Sequence, residues 1–199
     1  MDTLSLYYNK DLLNQAQISL PPQTWEEFYA DVKKITALDK DNNVIISGAA
    51  LGTSDNVPRS FDILSILMAQ NGATMEKDGR IQFQSPSSTQ PGYSPGLAAV
   101  QFYTSFASPE KDAYSWNNEM PNALEAFAQG KVAFFLGYHY DLDQIKKLNP
   151  TLNFDVTNLP QVSLQNKINY PNYWVEGVSK TSEYPELAWR LILNLTQKD

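Results

Sequence analysis

The chain has 199 residues, and its 22 acidic and 15 basic side chains give a formal net charge of -7 at pH 7. This excess of negative charge argues against a nucleic-acid partner, because phosphate binding needs clusters of Lys and Arg. The absence of cysteine excludes disulfides, thiolate metal sites and cysteine nucleophiles. A single histidine excludes a multi-histidine metal site, and no cofactor is expected. No apolar run approaches the roughly 20 residues of a membrane span.

The first third of the chain predicts two strands with two helices between them, and the first of these helices is a short one that begins at residues 9–11. Residues 4–8 alternate in polarity like a short strand. Thr24 and Glu27 have the spacing of a capping box, which predicts the start of an amphipathic helix. The apolar residues 44–51 are expected to form the second strand. Because the chain opens directly on a strand, without a leader, we expect it to be part of a longer polypeptide.

The middle of the chain continues the alternation of helices and short strands. A helix is predicted after Pro58, with Phe61 among its inward residues. A brief strand is expected at residues 81–83 and a Pro/Ser/Gly-rich loop at 85–96. Residues 97–106 predict a further helix, which a Ser-Pro pair ends.

Residues 119–141 form the most informative stretch of the sequence. An amphipathic helix is predicted to end at Gly130, where a helix C-terminus favours a left-handed residue. The apolar run 132–136 is typical of a strand covered on both faces. Three ring-bearing residues follow directly after this strand: Tyr138, His139 and Tyr140. Flat side chains at the carboxyl end of a buried strand predict a ligand cleft.

The last third predicts two more helices and two more strands. Helices are expected at residues 141–148 and 185–196, and strands at 153–157 and 173–178, with a polar loop at 161–172. The final helix has an apolar stripe that we expect to face inward: Leu187, Ala188, Leu191, Ile192 and Leu195. Helices that alternate with short strands indicate an α/β fold class.

Two short segments match functional motifs in part but lack residues that those motifs need. Residues 92–96 match the G-x-S-x-G pattern of a nucleophile elbow, but a polar loop precedes them and Pro95 has no N–H for an oxyanion hole. Residues 39–43 resemble the first half of a calcium loop. The Gly expected at the sixth position is Val44, and the Glu expected at the twelfth is Ala50. We interpret both segments as loops.

Two functional readings remain open from the residues alone. Paired carboxylates of a glycosidase are distant in sequence, and Asp62 and Glu176 would be the pair to consider. The aromatic residues at element ends favour a carbohydrate cleft instead, because sugars pack their C–H groups on ring faces. These rings are Tyr114, Trp116, Tyr138, His139, Tyr140, Tyr173 and Trp174.

The chain as a whole resembles the extracellular solute-binding proteins of bacterial ABC importers. The resemblance rests on LSLYYNKDLL, PPQTWEEF, ALEAFAQGKVAFFLGY and the SEYPELAW helix, in this order and spacing. It is nearest to the sugar-binding subgroup that includes maltose-binding protein. The resemblance implies a type II periplasmic-binding-protein-like lobe, with a mixed sheet flanked by helices, in an incomplete two-lobe architecture. Residues 1–8 would cross over from a missing first lobe, 9–158 would form the second lobe, and 159–199 would return toward the first.

The resemblance also implies a binding site and a role. The sugar-stacking position falls at Tyr138 or His139, followed by Tyr140, and an aromatic facing the ligand falls at Tyr173 or Trp174. Other positions implied for the cleft are Arg59, Asp62, Asn56 and Trp116. We therefore expect a non-enzymatic protein outside the cytoplasm, anchored by lipid in a longer parent, that captures a sugar or oligosaccharide and delivers it to a membrane permease. The alternatives are a carbohydrate-active enzyme and a module that binds a peptide or a partner protein.

Overall fold

A computed structural model describes residues 2–87 and 90–197, and a five-stranded mixed sheet forms its centre. The strand order in this sheet is β3 (Ala37–Leu38), β4 (Val44–Ala49), β7 (Val132–Gly137), β2 (Ser5–Asn9) and β8 (Phe154–Thr157). Strands β4 and β7 are parallel, and the other neighbours are antiparallel. The central strand β7 is buried along its whole length, as its apolar run predicts.

Two small pairs of strands lie outside this sheet. The ribbon β1 (Asp2–Thr3) and β9 (Pro171–Asn172) is antiparallel and pairs Asp2 with Asn172. The hairpin β5 (Glu76–Lys77) and β6 (Arg80–Ile81) is exposed. The ribbon joins segments that are about 170 residues apart in sequence.

Seven helices are found in the described residues, and several have the local signals expected of them. Their bounds are α1 (Lys10–Gln15), α2 (Trp25–Ile35), α3 (Ser60–Gln70), α4 (Pro95–Ser105), α5 (Ala123–Ala128), α6 (Asp141–Leu148) and α7 (Pro185–Thr196). Helix α2 begins with the predicted capping box between Thr24 and Glu27. Gly130, which follows α5, has a φ of 75°, the left-handed conformation that glycine adopts at least cost.

Helices cover both faces of the sheet, and consecutive phenylalanines of β7 show this directly. Phe134 contacts Phe28 of α2, with ring centroids 5.1 Å apart. Phe135 points to the opposite face, where it contacts Tyr7 of β2 at 5.7 Å and Phe127 of α5 at 5.7 Å. Side chains alternate across a strand, so a run of apolar residues buried on both sides needs a layer on each face. The predicted α/β class with a mixed sheet flanked by helices is confirmed.

Three local expectations are wrong. Residues 173–178 form no strand; they have no regular secondary structure and are almost entirely exposed after β9 ends at Asn172. Phe61, expected to point inward, is 72% exposed, because α3 buries Ile63, Ile66 and Leu67 instead. The brief strand at 81–83 ends at Ile81. Residues 88 and 89 of the predicted loop, Met1, and residues 198 and 199 lie outside the described part of the chain.

Helix α7 forms where the sequence predicts it, but its apolar stripe is not covered. No residue of the helix is buried, and Leu187, Leu191 and Leu195 are all exposed. The expectation that this stripe faces the interior is therefore wrong for the described residues. The helical period is a local property, whereas burial requires a second surface against which the stripe can pack.

Candidate functional site

The carboxyl end of β7 turns sharply into α6 and fixes the backbone of Tyr138. A Cβ on Gly137 would lie 2.6 Å from Oδ2 of Asp141, so a larger residue there would displace this carboxylate. That carboxylate accepts a hydrogen bond of 2.8 Å from the backbone N–H of Tyr138. The Tyr138 carbonyl in turn accepts one of 2.6 Å from the hydroxyl of Tyr7. The residue that follows the strand is thus held from both sides.

Four connected polar and aromatic side chains lie at this turn, and we call them the Arg59 cluster: Arg59, Asp62, Tyr138 and Tyr140. The Tyr138 and Tyr140 rings stack with centroids 5.7 Å apart and planes inclined by 22°. The Arg59 guanidinium lies 5.3 Å from the first ring centroid and 5.2 Å from the second, and it donates a hydrogen bond to the Tyr140 hydroxyl. The Tyr138 hydroxyl donates to Oδ2 of Asp62 at 3.0 Å. The start of α3 is thereby joined to the end of β7.

The electrostatics of the cluster follow from burial and from its charges. Burial raises the pKa of the Tyr138 phenol, and the neighbouring Asp62 carboxylate raises it further. Burial also raises the pKa of Tyr140, while the Arg59 charge lowers it. The pKa of Asp141 is raised by burial and lowered by the hydrogen bond from the Tyr138 backbone. Both phenols are therefore neutral at physiological pH and act as hydrogen-bond donors to carboxylates or acceptors from cations.

A cleft of about 970 Å³ lies beside the cluster. Four of the ring-bearing residues predicted from the sequence line this cleft: His139, Tyr140, Tyr173 and Trp174. Tyr140 is 48% exposed and Trp174 is 99% exposed, so both have ring surface that a ligand could cover. The arrangement can bind a molecule that has flat apolar faces as well as hydroxyl groups.

Five further cleft residues were not anticipated from the sequence: Asp2, Thr3, Asn169, Pro171 and Asn172. Both oxygens of the Asp2 carboxylate lie within hydrogen-bond distance of the His139 backbone N–H, at 3.1 and 3.0 Å. The cleft thus combines amide, hydroxyl and carboxylate groups with its rings. No local pattern marks these positions, because they meet only when β1 pairs with β9.

The remaining predicted site residues lie elsewhere. Tyr138, Arg59 and Asp62 belong to the cluster but do not line the cleft, and only 1% of Tyr138 is exposed. Trp116 is fully buried, and its indole N–H donates to Oδ1 of Asn56 at 2.9 Å. The Asn56 amide donates at 2.8 Å to the carbonyls of Asn117 and Met120, so its side chain braces two loops. Trp116 therefore offers no surface to a ligand, and the half-buried Asn56 does not line the cleft.

The alternative sites proposed by short motifs have no catalytic or metal-binding geometry. Ser94 precedes helix α4 and donates its hydroxyl to the Gln84 carbonyl at 3.3 Å. Asp39 accepts hydrogen bonds from the backbone N–H groups of Asp41 and Asn43, as in a polar turn. Within residues 2–87 and 90–197, no group of three or more potential metal ligands is present. None of the helices described there is long and apolar enough to cross a membrane.

A sequence profile for bacterial extracellular solute-binding proteins matches residues 1–199. The chain belongs to this family. This solute-binding protein is 26% identical over 198 residues to a Brucella abortus (strain 2308) protein named as a binding protein. The match covers 98% of this chain and 44% of the relative.

Solved structures identify the fold of this solute-binding protein. An ABC transporter solute-binding protein of Thermotoga lettingae TMO, bound with α-D-tagatose, is 25% identical. Its TM-score is 0.62, and the match covers 98% of this chain and 48% of that one. A cyclo/maltodextrin-binding protein complexed with maltotetraose is 21% identical and also has a TM-score of 0.62, over 99% and 46% of the two chains. The chain has the fold of type II periplasmic binding proteins and spans about half the length of these relatives. The predicted resemblance to sugar-binding members of the family is confirmed.

Proposed function

We propose that the chain is part of the substrate-binding component of an ABC transporter and that its cleft binds a sugar or oligosaccharide. The observation that carries this proposal is Tyr140, a half-exposed ring held in place by the Arg59 cluster at the edge of the cleft. A sugar would place its C–H face on this ring. Its hydroxyls would meet the Asp2 carboxylate and the Asn169 and Asn172 amides.

The proposal includes a division of the chain into parts of two lobes. Residues 1–8 enter from a first lobe, residues 9–158 form the second lobe, and residues 159–199 return toward the first. Two observations support this division: the ribbon that pairs Asp2 with Asn172, and the uncovered apolar stripe of α7. Closure of the lobes would be driven by the higher affinity of the closed state for the ligand.

The cellular role that we propose follows from the family. The longer protein would lie outside the cytoplasm, anchored by lipid to the membrane, and would deliver the bound sugar to permease subunits. We propose binding without chemistry. Asp62, one of the two acids considered for a glycosidase, accepts a hydrogen bond from Tyr138, and Glu176, the other, lies in the exposed segment 173–178.

Thermal unfolding in the presence of defined sugars tests the proposal. The natural polypeptide that contains these residues would be titrated with D-tagatose, maltotetraose, and disaccharides of glucose, mannose and xylose. A ligand that binds only the folded state raises the melting temperature by mass action, by an amount that increases with its concentration. We expect at least one of these sugars to raise it and the Tyr140→Ala variant to reduce that rise. No shift with any sugar at millimolar concentration would refute the proposal.

A further inference from the structure

Arg59 has an unusual environment for an arginine beside an open cleft. Its guanidinium lies over the rings of Tyr138 and Tyr140, and Nη2 donates to the Tyr140 hydroxyl. Within the described residues it takes part in no ion pair, and its Nε is buried without a hydrogen-bond acceptor. A buried donor left unpaired costs free energy. Folding stability alone does not account for this arrangement.

The Arg59 side chain also does not serve the helix that it precedes. It occupies the N-cap position of α3, and no side-chain hydrogen bond caps that end of the helix. Residues such as Ser, Thr, Asp and Asn stabilise helix starts through such bonds, which an arginine side chain cannot accept. The contacts of Arg59 are directed to the two tyrosines, not to its own helix.

The two rings are fixed from their other sides as well. The Tyr138 hydroxyl is bound to Asp62 at 3.0 Å, and its backbone is held by Asp141 and Tyr7. Tyr140 stacks on this anchored ring with a centroid separation of 5.7 Å. The Tyr140 ring therefore cannot rotate about χ1 without losing both its stack on Tyr138 and its contact with Arg59.

Within the cluster, only Tyr140 lines the cleft. The family resemblance implied Arg59 and Asp62 as cleft positions, but neither is among the residues that line the cleft. Arg59 can affect a ligand in this cleft through the Tyr140 ring, which it contacts. A ring that is already oriented loses less conformational entropy when a ligand stacks on it.

We propose that Arg59 is a positioning residue that orients the Tyr140 ring for a stacked sugar without contacting the sugar itself. This inference rests on the proposed function of the cleft and adds a residue that determines affinity. Asp62 has the supporting role, since it anchors the Tyr138 ring on which Tyr140 stacks.

A double-mutant cycle separates positioning from direct contact. Affinity would be measured by calorimetry with the sugar that gives the largest thermal shift in the panel above. Arg59→Met removes the guanidinium but keeps an unbranched side chain, and we expect it to weaken binding about five- to tenfold. In a Tyr140→Ala background the same change is expected to alter affinity less than twofold, because the residue through which Arg59 acts is gone. Arg59→Lys keeps the cation over the rings and is expected to recover part of the loss.

Arg80→Met is the matched control. Arg80 lies exposed in the β5–β6 hairpin, outside the cleft lining, and its replacement changes the net charge by the same amount. We expect this variant to bind with wild-type affinity. Unchanged sugar affinity in Arg59→Met would overturn the proposal. It would also be overturned if Arg59→Met weakened binding equally in the Tyr140→Ala background, because this would indicate that Arg59 contacts the sugar directly.

Nuclear magnetic resonance of ¹³C-labelled tyrosine provides a test that needs no ligand. Without sugar, Arg59→Met is expected to shift the ring signals of Tyr138 and Tyr140 and to raise the pKa of Tyr140, because the Arg59 charge lowers it. Arg80→Met should leave both unchanged. If the wild type bound no sugar, the proposed function would fail, and unchanged Tyr140 signals in Arg59→Met would separately refute the positioning role.

Discussion

Replacing Tyr140 by alanine should weaken sugar binding by about thirtyfold. A buried tyrosine contributes about 150–250 Å² of contact area. Since 48% of this side chain is exposed, about 70–120 Å² is available to a ligand. Coverage of about 80 Å² at about 25 cal/mol per Å² gives about 2 kcal/mol, which corresponds to the thirtyfold change. The Tyr138 ring beneath is anchored separately by Asp62, so it should keep its place in the variant.

The assay is isothermal calorimetry, supported by urea unfolding of the ligand-free variants. Tyr184→Ala is the matched control, because Tyr184 is also an exposed tyrosine but does not line the cleft. We expect Tyr140→Ala to lose affinity and also to lower the free energy of unfolding by about 2 kcal/mol, because the buried half of the side chain is removed as well. Tyr184→Ala should keep its affinity. If the wild type binds a sugar and the dissociation constant of Tyr140→Ala for that sugar is within twofold of the wild-type value, Tyr140 is not a stacking residue.

Three further predictions concern stability. Burial and the nearby Glu27 raise the pKa of Asp31 to about 6, so the folded state binds this proton more tightly than the unfolded chain does. Stability should fall as the pH rises from about 4 to 6. Asp31→Asn should remove this slope and stabilise at pH 7 by about 1 kcal/mol or less, after allowance for solvent screening, as measured by urea titration at several pH values. Gly48→Ala should destabilise by about 2–4 kcal/mol in urea unfolding, since its Cβ would lie 2.5 Å from the Val32 carbonyl oxygen; a wild-type midpoint would contradict this. Asn56→Ala should lower the melting temperature, at a cost of about 2–3 kcal/mol, because it leaves the buried indole N–H of Trp116 unpaired; normal stability with lost sugar affinity would instead indicate a ligand contact.

The geometry changes how the predicted site residues are understood. From the sequence, the polar and aromatic residues near the cleft are all expected to contact the ligand. The structure separates them into residues that line the cleft, such as Tyr140 and Trp174, and residues that support it from below, such as Tyr138 and Arg59. A binding surface of this kind depends on its supporting residues, because a ring that is free to rotate must be ordered at the moment of binding.

Trp116 illustrates why ring-bearing residues are ambiguous in a sequence. It was among the rings at element ends that favour a carbohydrate cleft, yet it is fully buried and its indole N–H donates to Asn56. Trp174 is the opposite case, since it is almost completely exposed. Both have the same side chain, and what distinguishes them is the number of elements that pack around each one.

The sequence by itself determined the local architecture. The capping box at Thr24, the left-handed Gly130 and the apolar run that becomes β7 all depend on neighbouring residues, and each is found as predicted. These signals are reliable because caps, turns and strand burial are encoded over a few residues. The same patterns indicated the α/β class and placed three rings directly after the strand.

Only the tertiary structure decided how the site is assembled. It brought Asp2 to Asn172 in the ribbon, buried Tyr138 beneath Tyr140, and placed Arg59 over both rings. It also left the α7 stripe uncovered, although its period predicts a buried face. These features depend on contacts between segments far apart in sequence. Such contacts depend on which whole elements pack together, and a local sequence pattern does not predict this.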